Sequence, residues 1–217
     1  MLSILKENKY YFILFFIFII ASSSIVYNLP QGTELEILSK HNTPFFDVFF
    51  TYWTQLAEGY VYVILFLIFL FYRYGLAVYI MALGAAVSIC SYCSKEYFLC
   101  LRPFTLYSKF GVESRLHVVD IHNINIGHSS FPSGHTMSAF ALFGTLAFLS
   151  KQKYWTNISF FLLALSLGFS RMYLSQHFLR DVIGGSLVGT YLAMMCYYFY
   201  EIEKNKGKKW CQKKISF

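Results

Sequence analysis

The chain has 217 residues, of which 57% are hydrophobic, 21% are aromatic and only 13% are charged. An average soluble domain carries about 25% charged residues, and one core of this size could not hide so much apolar surface. A disordered chain would be polar and poor in aromatic residues, so that class is excluded as well. The composition predicts an integral membrane protein with a single domain, residues 1–217. The net charge of +7 calls for no nucleic-acid partner, because basic residues near a membrane span interact with anionic lipid.

Six apolar segments are long enough, alone or with their neighbours, to cross a membrane as helices, because about 20 residues span the hydrocarbon core. These segments are residues 10–27, 60–72, 75–94, 136–150, 155–170 and 182–200. The second reaches full length only from about Tyr52, and it then includes the charged Glu58. The first has features of a signal peptide, but its apolar stretch continues beyond the usual cleavage site, and we expect it to be kept as an anchor. The predicted fold is all-α, with six transmembrane helices in one bundle.

The distribution of Lys and Arg predicts the orientation, because these residues favour the cytoplasmic side of a membrane. If both termini are cytoplasmic, eleven Lys and Arg residues lie inside and seven lie outside, and the six lysines of the tail decide this count. Residues 29–51, 95–131 and 171–181 would then face outward. The five cysteines imply no disulfide framework.

The first charged motif lies at the end of the third apolar segment. Lys95 and Arg102 are seven residues apart, which is two helical turns, so a helix continuing through both would place them on one face. Pro103 would then end the helix. Two cations on one face form a site for a dianion, and the alternative is a pair of lysine and arginine anchors that reach to the membrane surface.

The second motif directly precedes the fourth apolar segment. Ser133 can cap the helix that follows, and Gly134 allows a ligand to approach the backbone closely. The free N–H groups of a helix N-terminus bind anions, and His135 would lie beside such an anion. The alternative is an ordinary capped helix with a surface histidine.

The third motif connects the fifth and sixth segments. Asp181 follows His177 by four residues, so in a helix the carboxylate could accept a hydrogen bond from one ring nitrogen and leave the other as a nucleophile or base. Arg171 supplies a planar group suited to phosphate oxygens. The alternative is a structural His–Asp pair in a loop.

The three motifs occur in one order and at one predicted face of the membrane. They are Lys95-x6-Arg102-Pro103, Pro132-Ser133-Gly134-His135 and Ser170-Arg171-x5-His177-x3-Asp181. This pattern over residues 95–181 resembles the signature of the type 2 phosphatidic acid phosphatase (PAP2) superfamily, which shares its site with vanadium haloperoxidases. The six-segment layout is similar to the membrane lipid phosphatase branch of that family.

The resemblance implies a role for each motif residue. His177 would attack phosphorus and form a phosphohistidine, Asp181 would orient it, and His135 would protonate the leaving oxygen and then help to activate water. The groups that would hold the phosphate oxygens are Lys95, Arg102, Arg171, the Ser133 hydroxyl and the Gly134 amide. Three cations would do the work that Mg²⁺ does in other phosphoryl transfers, so no metal and no cofactor are expected.

The resemblance also implies the reaction and its location. We expect a lipid phosphatase in a bacterial inner membrane, with its active site facing the periplasm and a membrane lipid phosphate as substrate. The leading expectation is dephosphorylation of lipid A, with undecaprenyl diphosphate next and phosphatidylglycerol phosphate or phosphatidic acid also open. Two other classes remain: a non-catalytic binder or transporter of phosphorylated lipid, and vanadate-dependent halide oxidation. Neither the substrate nor the oligomeric state follows from the sequence.

The long outer connection is rich in histidine and basic residues. It contains His117, His122 and His128. The first interpretation of these histidines is a zinc site, although their spacing matches no compact zinc motif. Contact with a lipid head group is the second interpretation, since Lys109 and Arg115 add positive charge there. The third is an ordinary polar loop.

Overall fold

The computed structural model describes residues 1–119, 124–151 and 153–206, and these parts of the chain contain helices and no strand. The helices are α1 (Leu2–Glu7), α2 (Lys9–Asn28), α3 (Thr33–Ser39), α4 (Pro44–Trp53), α5 (Gly59–Leu70), α6 (Tyr74–Phe98), α7 (Pro103–Lys109), α8 (Gly134–Leu149), α9 (Lys153–Tyr173) and α10 (Leu179–Asn205). Two short 3₁₀ turns, Thr54–Ala57 and Glu113–Arg115, complete the described elements. The all-α prediction is confirmed for these residues.

Each of the six predicted apolar segments coincides with a helix, but not every one of these helices has the length and composition of a span. Three apolar stretches do, namely α2, Tyr74–Lys109 and α10. A fourth is obtained if Pro44–Ala57 and Gly59–Leu70 count as one span bent by 55°. Helix α8 is apolar but has only 16 residues. The described residues therefore contain three or four spans by this criterion.

Helix α8 lies at the centre of the bundle, and most of its residues are buried. Helix α10 packs tightly against it because two glycines line the contact. A Cβ added at Gly185 or Gly189 would collide with the carbonyl oxygen of Ser133 or Met137. Small residues at helix interfaces allow backbones to approach closely in membranes. This contact brings the N-termini of α8 and α10 side by side, where the Ser133 N–H donates to the Asp181 carbonyl oxygen at 3.0 Å.

An aromatic cluster anchors α2 to the middle and the C-terminal end of α8. Buried Tyr11 and Phe12 of α2 contact the ring of Phe148, and Phe15 contacts Phe140. Such ring pairs contribute roughly 0.5–1.5 kcal/mol each beyond the apolar area that they bury. The cluster holds the bundle together at the end away from the charged motifs.

The prediction that Lys95 and Arg102 share one helical face is wrong. Helix α6 ends at Phe98, and Leu99 adopts a left-handed conformation with φ of 46°. Arg102 is instead the residue that precedes α7, and Pro103 occupies the first position of that helix. Proline is favourable there because its fixed φ suits a helix and its missing N–H would have no partner in the first turn. Pro103 therefore starts a helix and does not end one.

Candidate functional site

The charged motifs meet where the last turns of α6 and α9 approach the first turns of α8 and α10. Ser130 donates its hydroxyl to Asp181 Oδ2 at 2.6 Å. Arg102 Nη1 lies 3.5 Å from His177 Nε2. A Cβ added at Gly134 would lie 3.5 Å from Lys95 Nζ. The three segments, up to 86 residues apart in the chain, thus form one cluster.

His177 and Asp181 form a buried pair at the start of α10. His177 precedes the helix, and its Nδ1 lies 3.6 Å from Asp181 Oδ2. This contact is longer than a hydrogen bond, so the bond expected from a helical spacing is not formed here. The reason is local, since Asp181 accepts the N–H of Phe178 at 3.0 Å and so caps the helix on which it lies. Catalytic hydrogen bonds are often long without substrate and shorten in the complex.

The environment of His177 determines its protonation. Its side chain is buried, and burial lowers the pKa of the ring below its usual value of 6.5, although the Asp181 carboxylate opposes this effect. A guanidinium has only donors, so the Nε2 that faces Arg102 presents its lone pair to that side. The neutral ring then carries its proton on Nδ1, toward Asp181. A neutral imidazole with one unprotonated nitrogen is the reactive form of a histidine nucleophile.

Two buried arginines flank this ring. Arg102 donates from Nη1 to the Gln176 carbonyl oxygen and from Nε to Ser129 Oγ, both at 3.2 Å. Arg171 is 5% exposed and donates to Thr54 Oγ1 at 3.1 Å. Within the described residues, its buried Nε has no hydrogen-bond partner. An unpaired buried donor costs roughly 1–3 kcal/mol, and an anion in the site would remove that cost.

The N-terminus of α8 closes the other side of the cluster. Ser133 caps the helix, and its Oγ accepts the N–H and the hydroxyl of Thr136 at 3.4 and 2.9 Å. Since a hydroxyl has two acceptor lone pairs and one donor, its O–H is left to donate. A side chain at Gly134 would come within 2.8 Å of Ser91 Oγ, so the glycine makes room for α6 and Lys95 beside the free amides of α8. Three cations and a helix N-terminus thus surround one point, an arrangement that suits an anion.

His135 makes a contact that the sequence did not predict. Its Nε2 donates to Glu58 Oε1 at 2.8 Å, across 77 residues. Glu58 lies at the break between the turn Thr54–Ala57 and α5. Both residues line a cleft of about 370 Å³ between α5, α6 and α8, together with apolar residues such as Val63 and Met81. The presence of Glu58 in an apolar segment was the one signal that could have drawn attention to it.

Three further partners of the site were also missed. Ser130, Thr54 and Gln176 occupy no fixed position of the three motifs. They hold Asp181, Arg171 and Arg102, respectively. Each is an ordinary polar residue whose sequence position carries no sign of its partner.

His117, in the long connection between α6 and α8, pairs with another element and not with the cluster. His117 Nε2 donates to Asp47 Oδ1 at 3.0 Å, and Tyr173 donates to the same oxygen at 2.8 Å. His128 is exposed, and His122 lies outside the described residues. In the part of the chain that the structure describes, no group of three His, Cys, Asp or Glu side chains is arranged to hold a metal ion.

An α-helical membrane bundle with a buried His–Asp pair facing a cluster of cations defines the class of this protein. The chain belongs to the PAP2 superfamily, whose family model matches residues 73–204. This confirms the family that the three motifs indicated.

Two curated relatives are named as phosphatases. Phosphatidylglycerophosphatase B of Bacillus subtilis is 38% identical over 88 residues, which are 37% of this chain and 43% of the relative. Lipid A 4'-phosphatase of Porphyromonas gingivalis is 30% identical over 165 residues, which are 72% of this chain and 65% of the relative. The matched part of the chain thus spans less than two thirds of either relative.

Two solved structures share the fold. The crystal structure of Aquifex aeolicus LpxE matches with a TM-score of 0.63 and 24% identity, covering 79% of this chain and 97% of that protein. The crystal structure of a transmembrane PAP2-type phosphatidylglycerolphosphate phosphatase from Bacillus subtilis matches with a TM-score of 0.61 and 25% identity. That match covers 92% of this chain and 98% of the other. Both likenesses extend beyond the motif region to most of the bundle.

Proposed function

We propose that this protein is an integral-membrane lipid phosphatase that removes phosphate from a membrane lipid through a phosphohistidine intermediate. The observation that carries the proposal is the placement of His177, with Nδ1 toward the buried Asp181 carboxylate and Nε2 toward Arg102. A binder of phosphorylated lipid would need the cations but not a neutral, buried histidine backed by a carboxylate. Membership of the PAP2 superfamily supports the same reaction.

In the first step, His177 Nε2 attacks phosphorus while the bond from phosphorus to the leaving oxygen breaks. The electron pair of that bond goes to the leaving oxygen, which takes a proton from His135. The products are the dephosphorylated lipid and a phosphohistidine whose ring is positively charged, and Asp181 stabilises that charge. Lys95, Arg102 and Arg171 would bind the non-bridging oxygens, where such preorganised charge lowers the barrier most.

In the second step, a water molecule attacks phosphorus and gives its proton to His135, which is now neutral. The phosphorus–nitrogen bond breaks, its electron pair returns to His177 Nε2, and inorganic phosphate leaves. His135 is again protonated, so the site is ready for another cycle. No metal takes part in either step.

The orientation of the protein in the membrane is part of this proposal. We propose that residues 1–217 form one domain with six spans, α2, the bent α4–α5 pair, α6, α8, α9 and α10, and with both termini in the cytoplasm. The phosphate site then faces the periplasm of a bacterial inner membrane. The excess of basic residues on the inner side supports this orientation.

Lipid A is the substrate that we place first. The relative from Porphyromonas gingivalis, which aligns with 72% of this chain, supports this choice. The Bacillus subtilis relative and structure support phosphatidylglycerol phosphate as a second candidate, and undecaprenyl diphosphate fits the same chemistry. The cleft beside His135, apolar along α5 and α6, would admit a lipid chain from the bilayer.

The test is phosphate release by purified protein in detergent with EDTA. The substrates are lipid A, undecaprenyl diphosphate, phosphatidylglycerol phosphate and phosphatidic acid, and His177→Ala is assayed in parallel. We expect release from at least one lipid, loss of release in the variant, and an acid-labile phosphate on His177 after rapid quenching. Folded protein that binds these lipids but releases no phosphate would refute the proposal and favour the binder or transporter.

A further inference from the structure

We propose that Glu58 is the positioning residue for His135: it orients the imidazole ring and stabilises the protonated form that is needed to release the leaving group. The inference rests on the proposed function and assigns to that reaction a residue outside the three motifs.

The position of Glu58 has no evident structural purpose. It precedes α5, where a side chain commonly caps the helix, but the Glu58 side chain makes no capping hydrogen bond. The carboxylate reaches α8 instead and binds His135 at 2.8 Å. A charged group within a bent apolar span is costly and is a functional candidate by default. The 55° bend between the two helical segments occurs at the point where this carboxylate meets the ring.

The charges around His135 explain why a carboxylate is needed. Burial of the ring opposes a positive charge on it most strongly, and the charges of Arg171 on α9 and Lys95 on α6 oppose it further. These cations bind phosphate, but they also oppose a further positive charge on His135. The general acid must carry its proton before the leaving oxygen departs. Glu58 is the carboxylate that faces the ring among the described charged groups acting on it, and a charge-assisted hydrogen bond stabilises the imidazolium.

Glu58 differs from Asp181, the other carboxylate beside a histidine, in its exposure to solvent. About half of its side chain is exposed, whereas Asp181 is fully buried behind His177. Among the described residues, each histidine of the cluster therefore has a carboxylate beside it: Asp181 beside His177 and Glu58 beside His135. Glu58 keeps its negative charge throughout, so it supports the protonated His135 in the first step and its re-formation in the second. No proton needs to reside on Glu58 in either step.

The experiment compares substrates whose leaving groups differ in their need for a proton. An alkyl phosphate must have its leaving oxygen protonated, whereas p-nitrophenyl phosphate releases a stable phenolate. We measure single-turnover release of the leaving group by wild-type protein, Glu58→Gln and His135→Gln. General acid catalysis contributes roughly 10²–10⁴-fold, so we expect Glu58→Gln to lose about 10–100-fold on the alkyl phosphate and less than about threefold on p-nitrophenyl phosphate.

Two further variants separate a positioning role from a structural one. Glu58→Gln should add little to the loss in His135→Gln, because residues that act through one group are not additive. Glu96→Gln removes an exposed carboxylate from α6 beside Lys95 and should leave both rates unchanged. If Glu58→Gln fails to fold, Glu58→Asp takes its place, because it keeps the charge but shortens the side chain. We expect Glu58→Asp to show a smaller loss of activity, confined to the alkyl phosphate.

The outcomes distinguish this inference from the proposed function. The role of Glu58 is overturned if wild-type protein hydrolyses both substrates and Glu58→Gln loses activity equally on both or on neither. The proposed phosphatase activity then still stands. Additive losses in the double variant overturn it as well. Folded wild-type protein that hydrolyses neither these substrates nor any of the four lipids overturns the phosphatase, and the role of Glu58 with it.

Discussion

Replacing Asp181 with asparagine tests whether its charge drives the first chemical step. The carboxylate lies 3.6 Å from His177 Nδ1, and both side chains are almost completely buried. At that distance a full ionic charge on the ring would gain about 4–5 kcal/mol at an effective dielectric constant of about 20. The ring charge is only partly developed in the transition state, so we expect Asp181→Asn to lower kcat by roughly 10²–10³-fold.

The substitution should alter the reaction far more than the fold. An asparagine oxygen can still accept from the Phe178 N–H and the Ser130 hydroxyl, the two hydrogen bonds that Asp181 Oδ2 accepts. The loss of stability should therefore be about 1 kcal/mol. The assay is phosphate release in detergent, with thermal unfolding of the same sample to verify the fold.

A second His–Asp pair provides the matched control. Asp47 accepts a hydrogen bond from His117 at 3.0 Å, outside the cation cluster. Asp47→Asn therefore removes a carboxylate of a comparable pair and should leave kcat within about threefold of wild type, a change of less than about 1 kcal/mol in the barrier. An Asp181→Asn protein that is folded and within tenfold of wild-type activity would refute the reasoning. Equal losses in the two asparagine variants would refute it as well.

Four further outcomes follow from the site. Arg171→Lys should lower kcat/KM by about 10²-fold, because a lysine supplies one point charge where the guanidinium offers a fork of donors, and a loss below threefold would count against phosphate binding by Arg171. Gly134→Ala should lower activity with little change in thermal stability, since the new Cβ would meet the side chain of Ser91 at 2.8 Å; a change in stability alone would contradict this. The pKa of His177 is lower in the folded state than in the unfolded state, so the unfolded protein binds more protons below about pH 6.5 and stability falls as the pH falls through that value. Thermal unfolding as a function of pH should show a weaker fall in His177→Asn, and parallel curves would refute the assignment. EDTA should leave phosphate release unchanged, and restoration of a lost activity by a divalent ion would refute the metal-free mechanism.

The sequence alone determined the class of the protein and the family. Long apolar segments must be helical in a membrane because the bilayer offers no partner for backbone groups, so composition and length indicated an all-α bundle. Charged residues are costly at the ends of such segments, so Lys95, Arg102, Arg171, His177 and Asp181 were conspicuous. The match to the PAP2 family model confirmed the family that these residues indicated.

Only the tertiary structure revealed which polar groups serve these residues. Glu58 meets His135 across 77 residues, and Ser130 meets Asp181 across 51. The end of α6 at Phe98 also removed the shared helical face that the spacing of Lys95 and Arg102 had indicated. A periodic pattern reports contacts within one helix, because it depends on a repeat of 3.6 residues. Contacts between helices depend on how those helices pack, here through the close approach of α8 and α10, and packing leaves no repeat in the chain.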